Sequence, residues 1–214
     1  PTRTFRDVER RNKFAKKYLK IPTRNIVFSD ESWICCNERT GKIQWCRKGE
    51  QPFPLEAKAR WNVPSVLIWA AIGYNFKSEI VILPSKQRNE DGEVRVFRLD
   101  AEQYTRRCLP KVTPHLVKNN KVFQQDGARS HIAQSVIRYF KRKKVKYIED
   151  WPPYSPDFNM IELLWKDLQD RVGEYCPMTV DELTEAIKKA WDEIPMAQIN
   201  KYIENFHLAL KKYR

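Results

Sequence analysis

The stretch SVLIWAAIG, Ser65 to Gly73, is apolar on both faces of an extended chain. A strand of that kind needs cover on both sides, so it predicts a central strand between helices, the mark of a layered α/β domain. Working outward, Asn25-Ile26-Val27-Phe28-Ser29-Asp30 reads as an earlier strand ending in the acidic pair Asp30-Glu31. Lys42 to Cys46 and Glu79 to Leu83 add further strands, and the polar run Lys86 to Arg98 is expected to form an exposed loop or hairpin. Beyond it the pattern alternates between helix and strand. A helix over 101–109 is interrupted near Pro110 and Pro114, strand Lys121 to Gln125 ends at Asp126, and a helix over 131–142 precedes strand Val145 to Ile148.

Three helices complete the chain. The first starts near Asp157, with Ser155 as its cap, Pro156 at the first helical position, and Phe158, Ile161, Trp165, Leu168 and Val172 along one face. Thr179 and Glu182 form a capping-box pattern for the second, and Ile199, Tyr202, Phe206 and Leu210 mark the last. At the other end, residues 5 to 20 mix apolar positions with Arg6, Arg10, Arg11, Lys13, Lys16, Lys17 and Lys20. Two readings stand for this segment: a solvated amphipathic helix, or a DNA-facing linker. The chain divides on this reading into a basic lead-in over 1–22 and a main domain over 23–214.

The 214 residues carry 40 Lys and Arg against 27 Asp and Glu, a formal charge of +13. With 42% apolar residues, including seven Trp, nine Tyr and ten Phe, the chain can bury a true core and is no disordered basic tail. A cationic globule of this kind points to a polyanionic partner, most commonly nucleic acid. No window approaches the length of apolar sequence needed to span a membrane, and the N-terminus is not a signal peptide. Membrane partners are therefore not expected. The five Cys show no paired spacing and read as reduced thiols.

Asp30 and Asp126 each end an expected apolar strand, and Glu162 lies four residues after Phe158 and three before Trp165, at the core-facing edge of its helix. Three carboxylates converging on one sheet edge repel one another unless a cation intervenes, and oxygen-only ligands favour Mg²⁺ or Mn²⁺. Two such ions about 4 Å apart serve phosphoryl displacement. The plainer reading also stands, in which the aspartates form turns and Glu162 pairs with Lys166. Glu31 should point to the opposite face of its strand from Asp30.

NIVFSDESW (25–33), RKGEQP (47–52), VFQQDGARSHIA (122–133) and WPPYSPDFNMIELLWKDL (151–168) resemble blocks of the Tc/mariner superfamily of DNA transposases, across roughly residues 10 to 200. The resemblance implies a ribonuclease-H-like α/β fold, with a mixed five-stranded sheet flanked by helices. It further implies that Asp30, Asp126 and Glu162 are the catalytic triad holding two Mg²⁺, with Mn²⁺ as a substitute. Departures are visible. The gap of 35 residues between Asp126 and Glu162 is one longer than the commonest spacing, Gly127 stands where Asn is frequent, and Met160 where Pro is frequent. The paired helix-turn-helix region of such transposases is not matched, so the expectation is a catalytic domain with at most the end of a linker.

Arg129 is placed for phosphate, and Arg47 and Lys48 fall where relatives contact DNA or the other subunit. His131 has two readings, a DNA contact or a group that orients an active-site carboxylate, beside a plain packing role. Lys141 to Lys146 reads as a helix end, a phosphate patch or a nuclear-import signal. The expected activity is cleavage at transposon ends and joining of the 3′-hydroxyl to target DNA, at TA sites by resemblance. The partners are double-stranded DNA and, in a full-length protein, a second copy; the expected place is the nucleus of a eukaryotic host. The rivals are another ribonuclease-H-like nuclease or integrase, and a domesticated scaffold that no longer cleaves.

Overall fold

The computed structural model describes residues 4–36, 64–88 and 93–213. Helix α1 (Phe5–Tyr18) leads into strand β1 (Ile26–Cys35), followed by β2 (Ser65–Gly73), β3 (Phe76–Lys77), β4 (Val81–Leu83) and the hairpin of β5 (Lys86–Arg88) with β6 (Val94–Val96). Helix α2 (Ala101–Gln103) runs on through a π-helical segment at Tyr104–Cys108 and a 3-10 turn at Leu109–Lys111. Then come α3 (Thr113–Lys118), β7 (Val122–Phe123), α4 (Gln134–Lys143) and β8 (Lys146–Tyr147). A 3-10 turn at Pro156–Phe158 precedes α5 (Ile161–Glu174), α6 (Val180–Glu193), α7 (Met196–Glu204) and α8 (Phe206–Lys211).

The main sheet is mixed. β2 pairs with β1 antiparallel, whereas β7 pairs with β1, and β8 with β7, in parallel. β3 and β4 both lie along the outer side of β2, and the pairing register shifts by one residue between them. They are one strand position broken by a bulge at Ser78, whose hydroxyl accepts from the Ala71 amide at 2.9 Å. Six hydrogen-bonded segments thus fill the five expected strand positions.

The expectation from SVLIWAAIG holds. Val66, Ile68, Ala70 and Ile72 enter the core beneath α1, α5, α6, α7 and α8, while Leu67, Trp69 and Ala71 enter the second core with Tyr104, Phe123 and Phe140. Alternation along β1 divides its residues in the same way, Ile26 and Phe28 to the first core and Val27 to the second. Strand Lys42 to Cys46 lies outside the described residues.

Two local signals were overridden. The expected helix at Asp157 starts instead at Ile161, and Ser155 makes no capping bond to it. Asn159 adopts extended backbone, φ −90° and ψ 108°, which breaks the helix between the 3-10 turn and α5. In return its amide donates to the Ser29 carbonyl at 3.1 Å and to Asp30 Oδ2 at 3.2 Å. Ser155 Oγ is taken by Arg11, the second surprise: this residue of the basic N-terminal run is fully buried. Its guanidinium lies between the Phe158 and Tyr213 rings, 4.1 and 4.2 Å from their centroids, and donates to Ser155, Asp157 and the Tyr154 carbonyl. With Phe14, Ala15 and Tyr18 in the main core, α1 is packed into the domain.

Because Asp157 keeps 40% of its side chain exposed, removing Arg11 should cost less than breaking a fully buried pair. Arg11→Met is expected to lower the unfolding free energy by about 2–3 kcal/mol. Lys13→Met, at a side chain that is 76% exposed, should change it by less than about 0.5 kcal/mol. Urea denaturation of both variants checks this, and equal effects would show that Arg11 is held no more firmly than a surface lysine.

Candidate active site

The site follows from strand pairing. Parallel β1 and β7 join Ile26 to Val122 and Val27 to Phe123, and the same offset in sequence carries Asp30 to Asp126. The pairing reaches beyond β7 through Gln124, whose backbone amide donates to the Val27 carbonyl at 2.8 Å. Its side-chain oxygen accepts from the Ser29 amide at 3.1 Å, and its carbonyl from the Ser29 hydroxyl at 2.8 Å. Two residues later the chain departs, leaving Asp126 at the carboxyl ends of the parallel strands. Asp30, expected as a strand end, lies inside β1, which runs on to Cys35 because β2 pairs with it throughout. It is the end of β7 that opens the sheet beside Asp30.

Glu162 arrives from the other direction. The break at Asn159 places it in the first turn of α5, where the helix dipole favours a carboxylate, and its amide donates to the Asn159 carbonyl at 3.2 Å. Asn159 thereby joins the helix start to β1. Burial, then the charges of Glu31 and Glu162, and to a smaller degree that of Asp126, push the Asp30 carboxyl up to about 8. Burial also raises Glu162, opposed by a hydrogen bond from Asp30. The two share one proton more easily than they carry two charges.

Asp126 is held differently. Burial pushes its pKa up, but the hydrogen bond and charge of His131 and the Ala128 amide outweigh this and leave it below the ordinary value. Its Oδ1 accepts from His131 Nδ1 at 2.6 Å and from the Ala128 amide at 3.0 Å. His131 Nε2 reaches Glu31 Oε1 at 3.1 Å. Burial alone would lower the imidazole pKa; the two carboxylates reverse that and raise it to about 10, so both nitrogens carry hydrogen. The imidazole also lies 4.3 Å from the Tyr104 ring, and Gln125 bridges the Tyr104 hydroxyl to the His131 carbonyl.

His131, read as a DNA contact or as a group that orients a carboxylate, is only 3% exposed, with its ring nitrogens on Asp126 and Glu31. The same engagement delays α4 to Gln134, three residues beyond the expected start. Asp157, expected in the first turn of its helix, instead pairs with Arg11. Arg129 is exposed on the turn between Asp126 and α4. Arg47 and Lys48 lie outside the described residues. A side chain at Gly127 would meet nothing within 4 Å, and Met160 is buried in the main core, so neither departure disturbs the acids. Asn159 and Glu31 were missed as members of the site, although Asn159 stands three residues before Glu162 and Glu31 directly after Asp30.

No three His, Cys, Asp or Glu side chains among the described residues stand close enough to enclose an ion. Asp30 and Glu162 interact directly, while Asp126 turns toward His131. The neighbouring charges that hold Asp30 up are all acidic, and the donors are all carboxylate oxygens. Such a set suits a hard divalent cation.

The profile of a family described as DDE superfamily endonuclease matches residues 25–184. The chain is 30% identical over 200 residues to the Tc3 transposase of Caenorhabditis elegans, a stretch that is 92% of this chain and 57% of that protein. It therefore spans little more than half of that relative. The Tcb1 transposase of Caenorhabditis briggsae is 27% identical over 96% of this chain and 74% of its own length. Among solved structures, the Mos1 transposase catalytic domain with Raltegravir and Mg superposes with a TM-score of 0.72 at 14% identity, over 100% of this chain and 96% of that one. The Mos1 mariner paired-end complex with Mn gives 0.79 at 16%, over 99% and 62%. The fold is accordingly ribonuclease-H-like.

The raised Asp30 carboxyl sets a pH dependence. The folded chain keeps on Asp30 a proton that the unfolded chain releases near 3.8, so without metal this group withdraws stability as pH rises from about 4 through about 8. In buffer with a chelator, Asp30→Asn should gain in melting temperature over the unsubstituted chain across that window and level off above it. Parallel melting curves at every pH would exclude a raised Asp30.

Proposed function

The chain belongs to the DDE superfamily of endonucleases, and from that premise we propose that it is the catalytic part of a cut-and-paste DNA transposase. On this reading it hydrolyses phosphodiesters at transposon ends and joins the freed 3′-hydroxyl to target DNA, at TA dinucleotides. The observation that carries it is the meeting of Asp30 and Glu162 beside Asp126, at a sheet edge where burial and then acidic neighbours raise Asp30. Bound Mg²⁺ or Mn²⁺, two ions in all, would activate the attacking oxygen and stabilise the leaving one. Relatives of this fold solved with Mg and with Mn support that choice.

Asp30 and Asp126 would hold the ions, with Glu162 completing the second position. Asn159 fixes Asp30 from the helix side, and His131 fixes Asp126 from the far side of β1. Arg129 would take a backbone phosphate from its exposed turn. Water and a 3′-hydroxyl are chemically similar attackers, so one set of acids serves both steps. The partners are the transposon ends and target DNA, with a second copy in the longer protein, inside the nucleus of a eukaryotic host.

The test is strand nicking on labelled duplex carrying the element's own terminal repeat. Asp30→Ala, Asp126→Ala and Glu162→Ala should each lower the rate by more than about 10²-fold while DNA binding persists. Cutting by all three at the unsubstituted rate would sink the assignment. Binding itself should weaken by roughly 10³ to 10⁵ between 50 and 200 mM salt if about six to ten phosphates are contacted. A flat salt response would contradict a phosphate-backbone interface.

A further inference from the structure

We propose that Glu31 is a positioning residue, which fixes the Asp126 carboxylate through His131. The inference rests on the reading of Asp30 and Asp126 as the residues that hold the metal ions. A carboxylate can only accept, so contacts of 2.6 Å from His131 Nδ1 to Asp126 and 3.1 Å from Nε2 to Glu31 make the imidazole a donor at both ends. One end of this chain is stiff and the other is not. Glu31 lies within β1, paired with Trp69 of β2, and its side chain is 20% exposed. Asp126 stands on irregular backbone past β7 with 49% of its side chain exposed, and besides His131 it accepts from the Ala128 amide at 3.0 Å.

Tyr104 packs beside the ring, with 4.3 Å between centroids and the planes tilted by 33°, but it makes no hydrogen bond to either ring nitrogen that would set the turn about Cβ–Cγ. The Glu31 carboxylate, on Nε2, sets it from the end opposite Asp126. Consecutive residues of one strand therefore reach the site by opposite routes: Asp30 directly, and Glu31 from the other face of the sheet, through His131 to Asp126. The separation of Asp30 and Asp126 is referred to a single rigid dipeptide. That gives the Asp-Glu pair a physical purpose, since aspartates that would hold metal ions need a fixed spacing.

Mn²⁺ binding by the folded chain, followed calorimetrically, tests the idea without recourse to turnover. Glu31→Ala should weaken Mn²⁺ binding about 10- to 100-fold, the usual effect of losing an outer partner of a ligand. Glu31→Gln, whose amide oxygen still accepts from Nε2, should stay within about threefold of the parent. Glu31→Asp keeps the charge but loses the reach, so it should behave like Glu31→Ala, and it serves as the second test should the alanine variant not fold. In nicking assays kcat should fall with KM for DNA unchanged, because Glu31 faces His131 and not the duplex. Wild-type binding by Glu31→Ala or Glu31→Asp, alongside loss in Asp30→Ala and Asp126→Ala, would overturn the positioning role alone. Equal weakening by Glu31→Gln and Glu31→Ala would overturn it too, by showing that charge and not the hydrogen bond matters. Unchanged binding in Asp30→Ala and Asp126→Ala would instead remove the metal-site reading beneath it.

Discussion

Two residues of parallel pairing govern this molecule. The ladder between β1 and β7 joins only Ile26 to Val122 and Val27 to Phe123, yet its register continued by three residues sets Asp30 against Asp126. A slip by one residue would turn one of the two acids to the other face of the sheet. The register is secured where the strands are most buried. Val27 and Phe123 enter one core, and beyond them Ser29 is bound to Gln124 by backbone and side chain together. β7 can then be very short, because its purpose in the fold ends once Asp126 has been delivered.

The third acid comes at a cost in local order. A continuous helix from Pro156 would satisfy the backbone better than a 3-10 turn, an extended Asn159 and a fresh start at Ile161. The break survives because Asn159, 4% exposed, gives its amide hydrogens to the Ser29 carbonyl and to Asp30, bonds that a helical Asn159 could not reach. The turn before it is held in its own right by Arg11, whose guanidinium spans Tyr154, Ser155 and Asp157. Helix α1 is thus coupled to the start of α5 through one buried cation, and Glu162 inherits its place from a residue near the other end of the chain.

What was legible in the sequence was whatever neighbouring residues decide. The two-faced apolarity of Ser65 to Gly73 identified the central strand, and Thr179 with Glu182 form the capping box that their spacing predicts. The three acids stood out because each interrupts an apolar pattern. What was not legible depends on partners distant in sequence. Ser155 and Pro156 carry sound helix-start signals, and nothing nearby reveals that Arg11 and β1 compete for the same segment. Arg11 itself looks like its exposed neighbours until Phe158, Tyr213 and Asp157 are placed around it. His131 had the orienting role among its readings; its link to Glu31 needs the strand pairing that sets Glu31 on the face opposite Asp30.

The excess charge sharpens the logic of the acids. A chain with +13 formal charges could have offset Asp30 with a lysine or arginine, yet burial and acidic neighbours raise that carboxyl to about 8. Lys141, Arg142, Lys143 and Lys144 stand exposed at the end of α4 and beyond it, where salt screens them within about 8–10 Å. A fixed cation placed at Asp30 would relieve the repulsion permanently and leave no room for a mobile one. Keeping the surface cationic and the sheet edge acidic separates two tasks that oppose each other electrostatically. On the proposed function the surface would attract a polyanion without regard to sequence, while the acidic edge would be left for a small, hard, divalent ion. In the proposed reaction the carboxylates would hold an ion that supplies what a lysine could not, neutralisation of the acids together with Lewis acidity toward the phosphate.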